Sequence, residues 1–477
     1  MNEATDKLSP QPRLPVTGVR NMFCGPYVTR ASRPHEHFDG CGRQKPSDGG
    51  RDDRVTGLQS ASPTPVTGPA ASTRVSRTPT PLRLKHWTFA GLLLTYWCNA
   101  RCAFCYVYSG PNKRGRGDSL MTVEQALTLW RGLNHQLAAD GLKEDGGTPA
   151  AGQPLACRIH FAGGEPFYDF DHLLAIARAA QAQGLRVFEK VETNAFWAKE
   201  DDETRLRLEL LRDAGMGMLM ISADVYHQEF VPVERCRRAA RIAREVLGDK
   251  GVRVRWWDSL EVEVDVLALE PARRRQVFAD ALVRHRERLL GRAADTLADQ
   301  YECQPPGFFT NESCAEATLG SRHVHIDSYG NVIPGVCSGI VWGHVAPPPP
   351  YNQQATVAPG GNPGLVMDRE RDKSASISIA LPVIPKDVGA NHRWPQQFAT
   401  IDELWRYAAV KWQEHPIISR VVAGGSYRLY ECAREQGYVP RVNGYASKCH
   451  LCHDVRRWLR EHGYFGTTLG PDEVYRE

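Results

Sequence analysis

The stretch TFAGLLLTYWCNARCAFC, Thr88 to Cys105, decides how this chain is read. Its first half, Thr88–Tyr96, is a short apolar run of strand length, the pattern of a strand buried on both faces. Its second half carries Cys98, Cys102 and Cys105 in the spacing C-x3-C-x2-C. Three thiolates this close can bind three irons of one cubane; iron–sulfur clusters are held by Cys thiolates, normally four for a [4Fe–4S]. No fourth cysteine lies nearby, so the fourth iron would stay open to an outside ligand, as a catalytic metal keeps an open position. Structural zinc and plain surface cysteines are the other readings, although zinc prefers paired C-x2-C knuckles and four ligands.

Outward from this stretch, strand-like and helix-like segments alternate. Thr122–Ala139 is helical in pattern, with Thr122 as its N-cap. Arg158–Ala162 reads as a strand, Phe170–Gln183 as a helix, Arg186–Thr193 as a strand and Asp202–Ala214 as a helix. Met218–Ala223 is an apolar strand, Pro232–Leu247 a helix and Val252–Trp257 a further strand. This alternation predicts an α/β domain over residues 85–270, with a parallel sheet and crossover helices. Residues 144–153 form a Gly/Pro-rich loop inside it.

After Leu269 the rhythm changes, and residues 271–477 read as a less regular Cys-containing region. Glu270–Tyr301 reads as one long Arg-rich helical stretch. Arg322–Ile326 and Asn331–Pro334 flank Tyr329-Gly330, a hairpin signal. Residues 346–363 are a Pro/Gly-rich linker or surface loop, and Ile401–Trp412 and Val455–His462 are helical. Residues 1–80 are rich in Pro, Ser, Thr, Arg and Gly without apolar periodicity, which predicts a disordered extension. Cys24, His35, His37 and Cys41 fall there, and composition favours a leader over a metal site.

The chain has 477 residues, with 59 Lys+Arg against 55 Asp+Glu, a net charge of +4. That balance predicts no nucleic-acid partner. No run reaches the roughly 18 apolar residues of a membrane span. The first residues lack the order of a secretory signal, so a cytoplasmic protein is expected. Thirteen cysteines is many for such a chain, and in that compartment they serve metal or chemistry more often than disulfides.

Further candidate residues stand at successive strand ends. Gly163-Gly164-Glu165-Pro166 follows one strand; paired glycines let a backbone approach a ligand, and a turn can aim main-chain groups at a charge. Thr193-Asn194 ends the next, and Ser222-Ala223-Asp224 the one after. A hydroxyl and a carboxylate there can bind ribose hydroxyls and an ammonium. Taken singly, each pattern is equally a turn or a strand-end cap. His227 is either a base or substrate ligand, or a histidine satisfied by a neighbour. Cys157 and Cys236 read as buried structural thiols.

The triad resembles the signature of the radical S-adenosylmethionine superfamily, C-x3-C-x-aromatic-C, with Phe104 in the aromatic slot. The resemblance extends to GGEP at 163–166, the Thr193-Asn194 pair and the Ser222-x-Asp224 pattern, in that order. It implies a partial (β/α)6 TIM-like barrel, a [4Fe–4S] cluster on Cys98, Cys102 and Cys105, and S-adenosyl-L-methionine chelating the open iron. It assigns cofactor binding to Phe104, Gly163, Gly164, Glu165, Pro166, Thr193, Asn194, Ser222 and Asp224. It further implies reductive cleavage to a 5'-deoxyadenosyl radical that abstracts hydrogen from substrate, and an electron donor of flavodoxin or ferredoxin type.

Residues 271–477 resemble the SPASM-type extension of radical S-adenosylmethionine peptide maturases. There a cysteine precedes a hairpin like Gly330-Asn-Val-Ile-Pro-Gly-Val-Cys337, and later cysteines complete an auxiliary [4Fe–4S] cluster. The resemblance implies Cys314, Cys337, Cys449 and Cys452 as its ligands. Cys303 or Cys432 could substitute, His450 or His453 could compete, and zinc is the other occupant. The implied substrate is a peptide or protein. Small-molecule or cofactor biosynthesis, and a non-catalytic metal-stabilised binding protein, are the alternatives.

Overall fold

The computed structural model describes residues 82–113, 120–138, 156–261, 264–285, 287–310, 312–345, 394–395 and 397–475. Those from Arg83 onward belong to one compact unit. The extension at 1–80 and the loops at 144–153 and 346–363 lie outside the described residues.

Nine strands form one sheet: β1 (Phe89–Thr95), β2 (Arg158–Gly163), β3 (Phe188–Thr193), β4 (Met218–Ser222), β5 (Val252–Arg255), β6 (His323–Ile326), β7 (Asn331–Pro334), β8 (Gly343–Val345) and β9 (Gln397–Phe398). Their order is β5-β4-β3-β2-β1-β6-β7-β8-β9. Strands β5 to β1 and β6 run parallel. β7 is antiparallel to β6, the hairpin expected around Tyr329-Gly330. β1 is buried along its whole length, as its apolar run requires of a central strand.

One expectation changes here. A (β/α)6 order would seat the sixth parallel strand beside β5, whereas β6 pairs with β1, with Gly91 opposite His325. Strand pairing across more than two hundred residues leaves no local sequence signal, so the neighbour of β6 is set by tertiary packing. The sheet also runs through the boundary at residue 270, joining the two halves of the chain.

The helices are α1 (Val123–Ala138), α2 (Phe170–Ala182), α3 (Asp201–Asp213), α4 (Val225–Gln228), α5 (Val233–Leu247), α6 (Pro271–Arg284), α7 (Arg292–Thr296), α8 (Ala315–Thr318), α9 (Ile401–Lys411), α10 (Ile418–Glu435) and α11 (Lys448–Glu461). Thr122 caps α1 as expected: its Oγ1 accepts the Gln125 N–H at 3.1 Å, and Gln125 Oε1 accepts the Thr122 N–H at 3.4 Å. Gln125 Nε2 then donates to the Ser328 carbonyl at 2.9 Å, tying α1 to the hairpin.

Alternation along the strands separates two faces. Ala90, Leu92, Leu94, Ile159, Phe161, Val191, Leu219 and Ile221 join the main core with residues of α1, α2, α3 and α5. Burying each large side chain here contributes about 1.5–3 kcal/mol. Gly91, His160, Lys190, Glu192 and Met220 have the opposite parity and face the other side.

The long helix expected over Glu270–Tyr301 is broken into α6 and α7. The chain turns at Gly291, φ +59°, where a Cβ would stand 2.5 Å from Tyr106 Cα and 2.7 Å from the Cys105 carbonyl. A continuous helix would keep this segment from docking on the cysteine loop. The helix expected at Val455–His462 begins earlier, at Lys448, because Ser447 Oγ accepts the His450 N–H at 3.1 Å. Among the described residues no helix is long and apolar enough to cross a membrane.

Candidate functional site

The cysteine loop leaves the end of β1. Cys98 and Cys102 are buried and Cys105 is half-buried. Burial pushes the Cys98 and Cys102 thiols well up; for Cys98 the Glu165 charge adds to this, and the Ala100 amide and Arg292 oppose it. Cys98 Sγ accepts the Ala100 N–H at 3.4 Å and faces Asn194 Nδ2 at 3.7 Å. Buried thiols of this kind lose their protons when iron coordinates them.

GGEP joins the ends of two strands. Gly164 N–H donates to the Thr95 carbonyl at 2.7 Å and Glu165 N–H to the Trp97 carbonyl at 2.9 Å, so β1 rather than a ligand takes these amides. A Cβ on Gly164 would stand 1.7 Å from the Trp97 oxygen. The glycines therefore let the ends of β1 and β2 meet and present Glu165. Pro166 is buried at the start of the 3-10 turn Pro166–Asp169 that Glu165 caps.

Glu165 is sealed from solvent. Its Oε1 accepts Thr193 Oγ1–H at 2.7 Å and Phe167 N–H at 3.1 Å, and its Oε2 accepts Asn194 N–H at 2.8 Å. With about four acceptor positions on a carboxylate, one remains on Oε2. Burial pushes its carboxyl up to about 7, against the pull of these hydrogen bonds. Asn194 Nδ2 also donates to Asn99 Oδ1 at 2.9 Å, so one residue touches both the carboxylate and the cysteine loop.

Asp224 is fully buried at the N-cap of α4. All its partners converge on Oδ1: Tyr226 N–H at 3.2 Å, His227 N–H at 3.3 Å and His227 Nδ1–H at 2.8 Å. Oδ2 has no partner. Burial would raise this carboxyl, but His227 and Arg255 hold it below its usual range. Its charge reaches Cys102. His227 is thus satisfied by a neighbour. Ser222 is half-buried at the end of β4. Phe104 stacks on Tyr226 at 4.5 Å with the Arg255 guanidinium 5.1 Å from its ring, so it packs the loop against the ends of β4 and β5.

Two contributors were invisible in the sequence. Arg292, on α7, donates to the carbonyls of Cys102 at 2.9 Å and Ser109 at 3.0 Å. Arg255 acts on both Asp224 and Glu192. Each is one arginine among many, and no motif marks either.

The second cysteine set also gathers. Burial pushes the Cys314 thiol up, and the charges of Cys452, Cys337 and Cys449 add to this while Lys448 opposes it. Cys449 and Cys452 sit near the start of α11, three apart and hence on one face. Cys303 instead faces the Ala298 and Tyr301 carbonyls, and Cys432 packs in α10. His450 Nδ1 accepts the Ala446 N–H at 3.2 Å and His453 lies 3.9 Å from Asp295. Cys157 and Cys236 are buried, and burial pushes Cys236 up to about 12.

No family model and no curated protein matches the chain. Among solved structures it is similar to BtrN in complex with AdoMet and 2-DOIA, at 17% identity and a TM-score of 0.31, over 55% of this chain and 79% of that one. It is similar to native anSMEcpe with bound AdoMet at 14% identity and a TM-score of 0.27, over 52% and 74% of the two chains. Overlaps this loose decide nothing about the chemistry of the site.

Proposed function

We propose that this chain is a radical S-adenosylmethionine enzyme, with Cys98, Cys102 and Cys105 as the protein ligands of a [4Fe–4S] cluster. The observation that carries this reading is the convergence of Glu165, Asn194 and Asp224, from three successive strand ends, on a buried three-cysteine loop. The cluster, when bound, supplies the single electron that cleaves the sulfonium of S-adenosylmethionine.

The protein's part is binding and orientation. The remaining position on Glu165 Oε2 and the bare Asp224 Oδ2 are buried anionic acceptors, suited to an ammonium and to ribose hydroxyls. Phe104 and Arg292 hold the loop, and burial keeps water from reactive species. Cys314, Cys337, Cys449 and Cys452 form the ligand set of an auxiliary [4Fe–4S] cluster; the charges of the other three act on Cys314. The substrate is a peptide or protein, in line with the SPASM-like cysteine arrangement, and a flavodoxin- or ferredoxin-type protein donates the electron in the cytoplasm.

The test is anaerobic reconstitution with iron and sulfide counts and an assay for 5'-deoxyadenosine. Replacing Cys98, Cys102 and Cys105 together by Ala should remove about four irons of about eight and all cleavage. Cleavage that survives this replacement would overturn the reading.

A further inference from the structure

We propose that His160, His323 and His325 form a site for one divalent first-row transition metal ion inside the sheet. This site is separate from both cysteine sets and does not depend on the radical reading.

The register builds it. Gly91 on β1 pairs with His160 of β2 on one side and with His325 of β6 on the other. The two imidazoles meet over the glycine: a Cβ there would stand 2.4 Å from His325 Cδ2 and 2.5 Å from His160 Nε2. His323, two residues before His325, lies on the same face of β6. One ring nitrogen from each of the three lies within 4.8 Å of the other two. In a tetrahedral site with metal–nitrogen bonds near 2.0–2.1 Å they would stand roughly 3.3 Å apart.

The protonation pattern suits metal ligation. His325 Nδ1 lies 2.6 Å from the Gly335 carbonyl, which can only accept, so Nδ1 carries the proton and Nε2 keeps its lone pair. A ligating histidine usually has this second contact, which fixes tautomer and ring orientation. His160 and His325 are almost wholly sealed. His160 Nδ1 and His323 Nε2 have no hydrogen-bond partner although both atoms are shut off from solvent. Orphaned buried nitrogens cost stability unless something occupies them.

Glu192 Oε1 lies 3.7 Å from His160 Nε2 and is held by Lys190 Nζ at 2.6 Å, so the carboxylate offsets the Lys190 charge near the cluster. Three imidazoles suit zinc, iron(II), cobalt(II) or nickel(II) rather than calcium or magnesium.

The experiment uses the full chain with its clusters assembled, freed of loosely bound metal and titrated with Co²⁺. Expected is one Co²⁺ per chain, with ligand-field bands and no thiolate-to-cobalt charge transfer. His160→Gln and His325→Gln should each weaken binding at least about tenfold. Gly91→Ala should abolish it, and iron and sulfide counts should not change. Circular dichroism checks the fold of each variant. Should the variants fail to fold, nitrogen couplings of wild-type-bound Cu²⁺ measured by electron spin echo decide, with coupled imidazoles expected. No Co²⁺ beyond the cysteine sites, equal binding by folded histidine variants, or no imidazole coupling would overturn the site.

Discussion

Arg292 donates from Nη1 to the carbonyl of Cys102 at 2.9 Å, across 190 residues of sequence, and its own backbone N–H reaches the Cys105 carbonyl at 2.9 Å. A buried guanidinium therefore clamps the loop that carries the three candidate iron ligands. Arg292→Lys keeps the charge but loses the planar fork, and Arg292→Ala takes the guanidinium donor from the buried Ser109 carbonyl and leaves the Cys102 carbonyl with the Cys105 N–H alone. Both should lower the iron and sulfide retained by the Cys98 triad. The Ala variant should also lose about 1–3 kcal/mol of stability in denaturant titration.

Asp224 should separate ligand binding from folding. Asn at this position keeps an oxygen for the α4 cap but removes the charge and the bare carboxylate oxygen. Asp224→Asn is expected to weaken S-adenosylmethionine binding at least tenfold by calorimetry, about 1.4 kcal/mol. Retained helix content by circular dichroism would place the loss in the site.

Gly164→Ala should be far more damaging than its size implies. The new Cβ would stand 1.7 Å from the Trp97 carbonyl oxygen, and neither strand end can withdraw without breaking the Gly164 and Glu165 hydrogen bonds to β1. A loss above about 4 kcal/mol, seen as failure to yield soluble folded protein, is expected.

His415 predicts a pH dependence. Its Nδ1 accepts the N–H groups of Ile417 at 3.1 Å and Ile418 at 3.0 Å, and its Nε2–H donates to the Val341 carbonyl at 2.9 Å. A proton on Nδ1 would face two donors. Burial pushes this imidazole from 6.5 down to about 3. The unfolded chain therefore takes up the proton first. The contribution is whole above about pH 6.5 and falls by about 1.4 kcal/mol per unit as pH drops from there toward 3. Denaturant titrations at pH 7 and pH 5 should show this loss in the wild type and a smaller one in His415→Gln.

What was legible in the sequence is what local pattern controls. The apolar run before Cys98 is a buried strand because its composition allows nothing else of that length. Thr122 caps its helix because the donors it satisfies are three residues away. Glu165, Thr193, Asn194 and Asp224 stand at strand ends because alternating strand and helix puts each β-to-α turn on the same edge of a parallel sheet.

The tertiary structure alone decided the rest. Gly163 and Gly164 could be read as ligand-facing, but only the β1–β2 approach shows that the Gly164 and Glu165 amides are spent on β1-end carbonyls. Arg292 becomes a clamp because α6 stops at Arg284 and the chain turns at Gly291, φ +59°. The histidine cluster exists because β6 crosses to pair with β1, placing His160 and His325 on either side of Gly91. Side-chain chemistry and short-range periodicity are written in the order of residues. Which remote backbones become neighbours depends on burying whole faces at once, and no single segment records that.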